Sequence, residues 1–409
     1  MSSMAVPKLR FKDSGGREFP EWEEVNFFSV IRKIIDFRGR TPIKLGAKWA
    51  DKKTRHLALS ALNVKMGYID KAVDAHYGDS ALYELWMKDN ELYKGQVLFT
   101  MEAPAGNVAQ VPDNEPYILS QRTIALEPKH EKVSDDFLAC LLASEKVQKN
   151  IKMLATGGTA KGVSQKSLNF LMLDIPSLPE QQKIADFITA YDTMVDTQTK
   201  RVEAMKLRKK GLLQKIFSQE IRFKDDEGKD FPEWEEKKLG EVILRKSTTA
   251  FSNISLPGVE YEDIISGTGR LNKDVALKGI SKKGILFDVG DVLYGKLRPY
   301  LKNWLLPDFS GIAIGDFWVL NSKHMVAGYI YYLIQSPEFS KVANTSIGTK
   351  MPRADWSLVS AYLVGVPSLP EQQKIADFLT AVDKQLEVEE KRLETMKTIK
   401  KGLLQQMFV

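Results

Sequence analysis

The chain repeats itself. Arg10-Phe-Lys-Asp13 and Phe19-Pro-Glu-Trp-Glu-Glu24 recur 212 residues later as Arg222-Phe-Lys-Asp225 and Phe231-Pro-Glu-Trp-Glu-Glu236. A longer block, Pro176-Ser-Leu-Pro-Glu-Gln-Gln-Lys-Ile-Ala-Asp-Phe187, recurs unchanged 191 residues later at Pro367 to Phe378. It continues through Lys210-Gly-Leu-Leu-Gln214 and Lys401-Gly-Leu-Leu-Gln405. Fainter echoes join Gly95-Gln-Val-Leu-Phe99 to Gly290-Asp-Val-Leu-Tyr294, and Gly158-Thr159 to Gly348-Thr349. A duplication of this length requires one architecture built twice. Its interiors diverge, so the two copies carry different surfaces. The organisation read from it is a first head over residues 1–175, a first helix over 176–219, a second head over 220–366 and a second helix over 367–409. The shrinking offset makes the second head about twenty residues shorter.

The near-identical blocks read as long helices. Each opens Ser177-Leu-Pro-Glu180 or Ser368-Leu-Pro-Glu371, a capping-box spacing in which the hydroxyl and the carboxylate satisfy early backbone N–H groups reciprocally. Apolar residues then recur alternately four and three apart, a repeat of about 3.5 that marks a coiled-coil seam. The seam comprises Ile184, Ile188, Tyr191, Val195, Val202 and Met205 in the first helix, and Ile375, Leu379, Val382, Leu386, Leu393 and Met396 in the second. Gln198, Lys209, Glu389 and Lys400 interrupt it, and polar seam residues fix register at some cost in stability. Charges on the other faces (Lys200, Arg201, Glu387, Glu390) read as a solvated surface. Gly211 and Gly402, inside the helical pattern, point to a bend or to close approach of another backbone. At 1.5 Å per residue, a helix of about 39 residues is roughly 60 Å long. Chain order predicts that the helices pair antiparallel, giving a dumbbell with a pseudo-twofold axis.

Each head mixes strand-like runs (Val97–Thr100, Arg122–Leu126, Val292–Tyr294, Asp316–Leu320) with helix-like ones (Asp135–Lys149, Met325–Gln335), which predicts an α+β fold. At 43% hydrophobic and 27% charged residues the chain is globular, and no apolar stretch approaches the roughly 20 residues of a membrane span. With no signal-peptide core, it reads as cytoplasmic. Cys140, the single cysteine, lies in an apolar run and reads as core packing; His56, His76, His130 and His324 form no metal-ligand pair. No phosphate loop is present: Gly157-Gly-Thr-Ala-Lys-Gly162 has the wrong spacing, and Gly267-Thr-Gly-Arg-Leu-Asn272 lacks its third glycine. Pro112-Asp113 with Glu127-Pro-Lys129 matches the loose pattern of a metal-dependent nuclease, but the second copy has Pro307-Asp308 and Asn321-Ser-Lys323, without the glutamate. No catalytic residue and no metal ligand is expected.

Basic residues at loop positions are more informative. Lys161 and Lys166 follow Gly157-Gly158, and Lys350 and Arg353 follow Gly348. Lys296, Arg298 and Tyr300 follow the strand ending at Tyr294, and Arg38 and Arg40 flank Gly39. Cations beside glycines can meet phosphates, and arginine can read guanine in the major groove. The net charge of +6 is compatible with a polyanionic partner. Arg38, Arg40, Lys161, Lys166, Lys296, Arg298, Lys350 and Arg353 are therefore the candidate DNA contacts, while Trp356 and Tyr300 fit a core as well as a base contact.

Two variable heads alternating with helices that begin Pro-Ser-Leu-Pro-Glu-Gln-Gln-Lys-Ile-Ala-Asp-Phe and end Lys-Gly-Leu-Leu-Gln resemble the specificity subunit of type I restriction-modification enzymes, over essentially the whole chain. The resemblance implies two target recognition domains, each reading half of a bipartite, asymmetric double-stranded DNA sequence. The helices would be a spacer ruler and the docking surface for two modification (methyltransferase) subunits. Restriction (nuclease/translocase) subunits would join through those. It assigns S-adenosylmethionine, ATP and Mg2+ to the partner subunits and none to this chain. A coiled-coil adaptor without DNA specificity would explain rod and heads but not the basic loops. A self-contained nuclease would need the Asp113 pattern.

Overall fold

The computed structural model describes residues 7–73, 76–155, 162–276, 281–345 and 351–408. It divides into two compact units, residues 1–197 with 393–409 and residues 198–392. Each unit is one head together with about half of each long helix, Leu178–Phe217 and Leu369–Met407.

In the first unit a four-stranded antiparallel sheet runs in the order Ile31–Asp36, Thr123–Pro128, Val97–Thr100, Val108–Gln110. Successive strand residues point to opposite faces, so one sheet builds two cores. Val97, Phe99, Ile124 and Leu126 face Phe137, Leu138 and Leu141 of the helix Asp135–Ala143. Leu98 and Ala125 face the second core, which holds Trp86 of the helix Ser80–Met87. The second unit repeats the plan with Leu244–Lys246, Phe317–Asn321, Val292–Gly295 and Trp304–Leu305. Val292, Tyr294, Trp318 and Leu320 enter one core, and Leu293, Phe317 and Val319 the other. The single helix expected over Asp135–Lys149 is two. Ser144 is extended (φ −64°, ψ 150°), and its hydroxyl accepts from Val147 N to start a second helix, Glu145–Leu154. Cys140 packs partly buried against the first core, and burial pushes its thiol up to about 12.

The repeated motifs meet one another. The strands Glu23–Asn26 and Glu235–Lys238 pair antiparallel with Met172–Ile175 and Leu363–Val366, which run into the long helices. The capping boxes do not form. The Ser177 and Ser368 hydroxyls are buried without a hydrogen-bond partner among the described residues. Glu180, fully buried, accepts from Arg10 Nε (3.0 Å) and Nη2 (2.7 Å) instead. Glu371 accepts from Arg222 (2.8 and 3.1 Å) and from the Trp234 indole N–H (3.0 Å). An arginine fork outcompetes a backbone N–H because it makes two parallel bonds between oppositely charged groups. The neighbouring glutamine is a second latch. Gln181 accepts from Ser134 N and donates to Lys132 O and Pro176 O; Gln372 accepts from Val326 N and donates to Pro367 O. Lys183 and Lys374 donate to the carbonyls of Lys12 and Lys224, and Phe187 and Phe378 meet Phe11 and Phe223 edge-on. The shared residues are thus the joint between head and helix.

Within each unit the long helices run antiparallel. In the first, Lys400 pairs with Asp192, and Ile184, Ile188 and Met407 share one core. In the second, Gln198 donates to the Glu389 carboxylate (2.7 Å), Lys206 pairs with Glu390 (2.8 Å), and Lys209 pairs with Asp383 (2.7 Å). None of the apolar seam residues is exposed, but their burial is uneven. Ile184, Ile188, Ile375 and Leu379 lie in the head cores, and Val202 and Leu393 are also buried. Tyr191, Val195, Met205, Val382, Leu386 and Met396 are only half-buried. The flanking charges are not a merely solvated face, since Arg201 pairs with Glu389, and Glu387 and Glu390 with Arg270. Nor is Gly211 or Gly402 approached by another backbone: an added Cβ at either meets nothing within 4 Å.

Candidate nucleic-acid interface

Three chain segments meet in the second head just beyond the strand Val292–Gly295. Lys296 N donates to Asp316 O (2.9 Å), Ala354 N to Lys296 O (2.8 Å) and Arg298 N to Pro352 O (2.7 Å). This backbone frame converges side chains from all three segments. Arg353 donates to Asp316 Oδ2 (3.1 Å), and Lys296 approaches Oδ1 at 3.5 Å. Burial alone would raise the Asp316 pKa, but hydrogen bonding and charge from Arg353, then Lys296, hold it below the usual carboxylate value. Arg298 is exposed in the left-handed region (φ 47°), ahead of the short turn Pro299–Leu301 that carries exposed Tyr300. Its guanidinium makes no hydrogen bond or ion pair among the described residues. Trp356 is half-buried, edge-on to Trp318 and under Arg245, and so serves the core.

The first head builds the same frame. Met101 N donates to Arg122 O (2.8 Å) and Val163 N to Met101 O (2.7 Å). Glu102 bridges Gly162 as Leu297 bridges Arg353. Beside it Arg38 grips Asp36 with two bonds (2.9 and 2.7 Å), and Asp36 also accepts from Gln165 (2.8 Å). Asp36 is partly buried, which raises its pKa, yet the Arg38 bonds bring it below the ordinary value. Lys166, in the short helix Gln165–Leu168, is exposed. Arg38 in the first head and Lys296, Arg298 and Arg353 in the second therefore stand at or beside the frame, and Lys166 follows Gly162 by four residues on the adjoining short helix.

Arg40 does not join them. Its guanidinium lies 3.7 Å over the Phe37 ring and donates to the Trp86 carbonyl, so it is spent on the head's own packing. Lys161 and Lys350 lie outside the described residues. Arg122 was not legible as a candidate, because it reads as the first residue of a strand. Its place emerges only by counting from the echoed glycines: Met101 and Lys296 each stand six residues beyond Gly95 and Gly290.

A second basic concavity carries less. A cleft of about 550 Å³ in the second unit lies between the helices and the hairpin around Gly267. Its Lys206 and Lys209 pair with Glu390 and Asp383 across the two helices, and its Arg270 pairs with Glu387 and Glu390, which ties the hairpin to the helices. The nuclease-like pattern is dispersed. Asp113 accepts from Lys71 and Tyr117, Glu127 pairs with Arg32, and Lys129 donates to Ser29 O. Among the described residues no group of three His, Cys, Asp or Glu is placed to hold a metal ion, and no helix is long and apolar enough to cross a membrane.

A family model described as the type I restriction modification DNA specificity domain matches residues 64–206 and 232–398. The chain is similar to the type I restriction enzyme MjaVIII specificity subunit of Methanocaldococcus jannaschii, at 24% identity over 96% of this chain and 94% of that protein. It is similar also to the putative MjaX specificity subunit of that organism, at 26% identity with the same coverage. The crystal structure of a type I restriction-modification S subunit from M. genitalium superposes with a TM-score of 0.59, covering 99% of each chain; at 15% identity this likeness is one of fold.

Proposed function

The chain belongs to the type I restriction modification DNA specificity family, and on that premise we propose that it is the non-catalytic, target-reading subunit of a modification and restriction assembly. Each head reads one half of a bipartite double-stranded DNA sequence. The two long helices set the spacing and dock two modification subunits, through which restriction subunits join. S-adenosylmethionine, ATP and Mg2+ act on those partners, in the cytoplasm. The observation that carries this reading is the shared frame with different occupants: Met101, Arg122 and Gly162 in one head stand where Lys296, Asp316 and Arg353 stand in the other. Two readers of unlike chemistry select two unlike half-sites, so the target is asymmetric. Phosphates are met by the free cations Arg298 and Lys166, and bases by the frame itself.

The test is head exchange. Replacing residues 220–366 with the matching head of a relative leaves both joints chemically unchanged, because the Arg222–Glu371 contact repeats Arg10–Glu180. Methylation-sensitive sequencing of DNA from cells carrying the hybrid should show one half-site altered, the other retained and the spacer preserved. Changes in both half-sites would sink the two-reader model. An adaptor without DNA specificity would leave no methylation pattern to change, even in the parent.

A further inference from the structure

The two frames share two equivalent backbone bonds and an equivalent bridge, which aligns Arg122 with Asp316 and Gly162 with Arg353. The aligned positions differ in sign. In the second head Asp316 is the acid that Lys296 and Arg353 converge on. In the first head no acid stands there. Gly162 has no side chain, Met101 is buried, and the exposed Arg122 guanidinium makes no hydrogen bond or ion pair among the described residues. Arg122 also holds a left-handed backbone (φ 64°), unusual for a side chain of its size and fixed here by its carbonyl's bond to Met101 N. An exposed donor fork without a partner, on a strained and braced backbone, is presented outward.

We propose that this aligned position is a specificity-determining point of each head: Arg122 reads guanine in the first head's half-site, and Asp316 accepts from a base amino group in the second's. The inference rests on the DNA-reading function proposed above. The chemistry follows from the base edges. Guanine offers two acceptors, O6 and N7, to an arginine fork, whereas cytosine N4 or adenine N6 offers a donor to a carboxylate. Lys296 and Arg353 keep Asp316 ionised and aimed, and a carboxylate with about four lone-pair sites retains capacity for a base. Arg353 and Lys296 act on the reading through Asp316 and are positioning residues.

The experiment uses the full chain with its modification subunits in cells, with methylated sites mapped by sequencing. The variants are Arg122→Asn, which tolerates the left-handed backbone but cannot reach, Arg122→Lys, which keeps the charge and loses the fork, and Asp316→Asn. Head exchange identifies which half-site belongs to which head. Arg122→Asn should lose roughly 10- to 100-fold discrimination at one guanine-bearing pair of the first head's half-site, and Arg122→Lys, whose ammonium still reaches the guanine acceptors, a smaller part of it. The other half-site and the spacer should stay intact. Asp316→Asn should relax one pair of the opposite half-site. If Arg122→Asn does not accumulate, Arg122→Gln, which keeps most of the length and loses the charge and the fork, decides. An unchanged consensus overturns the inference. So does uniform weakening on all sequences, with a salt dependence reduced by about one charge when DNA is titrated with the purified complex, because that marks a phosphate contact. A parent complex that methylates no specific sequence overturns the DNA-reading function instead, and the two failures are distinguished by the parent alone.

Discussion

The joint between head and helix yields a prediction whose magnitude can be worked through. Glu371 is fully buried, takes two bonds from Arg222 and one from the Trp234 indole, and is replaced by Gln. Removing one member of a buried ion pair costs about 3–5 kcal/mol when the other charge is stranded. Arg222 is not wholly stranded. Its side chain keeps 22% exposure, and its Nη2 still donates to the Phe231 and Pro232 carbonyls (3.3 and 2.7 Å). The amide retains one acceptor oxygen for three former donors, so about 2–3 kcal/mol of the joint's stability should go. Because the chain forms two units, one global unfolding energy is not the right readout. Amide exchange by mass spectrometry resolves the joints separately. Exchange over residues 222–234 and 368–380 should quicken about 30- to 150-fold, while 10–22 and 177–189 serve as the internal control. Replacing both partners, Arg222→Met with Glu371→Met, should recover more than half of the loss, since no unpaired charge remains. Exchange within about twofold of the parent for Glu371→Gln, or full additivity in the double variant, would refute the reasoning.

Three further expectations follow from the same structure. Leu379→Ala, at a fully buried core position, should destabilise the second unit by about 3 kcal/mol, whereas Val195→Ala, half-buried along the helices, should cost under about 1 kcal/mol, both read by local amide exchange. Gly211→Ala and Gly402→Ala should each stabilise by about 0.5–1 kcal/mol, because each glycine is helical with open space at its Cβ; a lower melting temperature would contradict this. Asp36 and Asp316 have lowered native pKa values, so their pairs stabilise fully above about pH 4 and that contribution is lost as pH falls through the native values; carboxyl NMR titration should find both below the usual aspartate midpoint.

Much of this molecule was legible in the chain because duplication is visible without any structure. The repeat exposed two heads, two helices and their alternation, and the 3.5-residue period picked out seam positions none of which is exposed. Local chemistry was read less well where a tertiary partner competed for a side chain. Ser177 and Glu180 carry a capping-box spacing, but an arginine from residue 10 arrives with a stronger bond. Arg40 resembled a loop cation until the Phe37 ring and the Trp86 carbonyl took it. Val195 and Leu386 look like the heart of a seam, yet the head cores bury Ile184 and Leu379 more deeply.

What the sequence by itself determined was therefore periodic or repeated: element type, duplication, and the constancy of the joint against the divergence of the heads. Such patterns depend on backbone geometry and spacing, which neighbours in sequence specify. Only the tertiary structure decided which cations are free and which are spent, because that depends on what a distant segment brings. Arg122 lies 21 residues from Met101 and 40 from Gly162, and nothing local announces that the three share a point. Backbone hydrogen bonds between those segments create the site, and the same bonds in the second head put an aspartate where the first has an arginine.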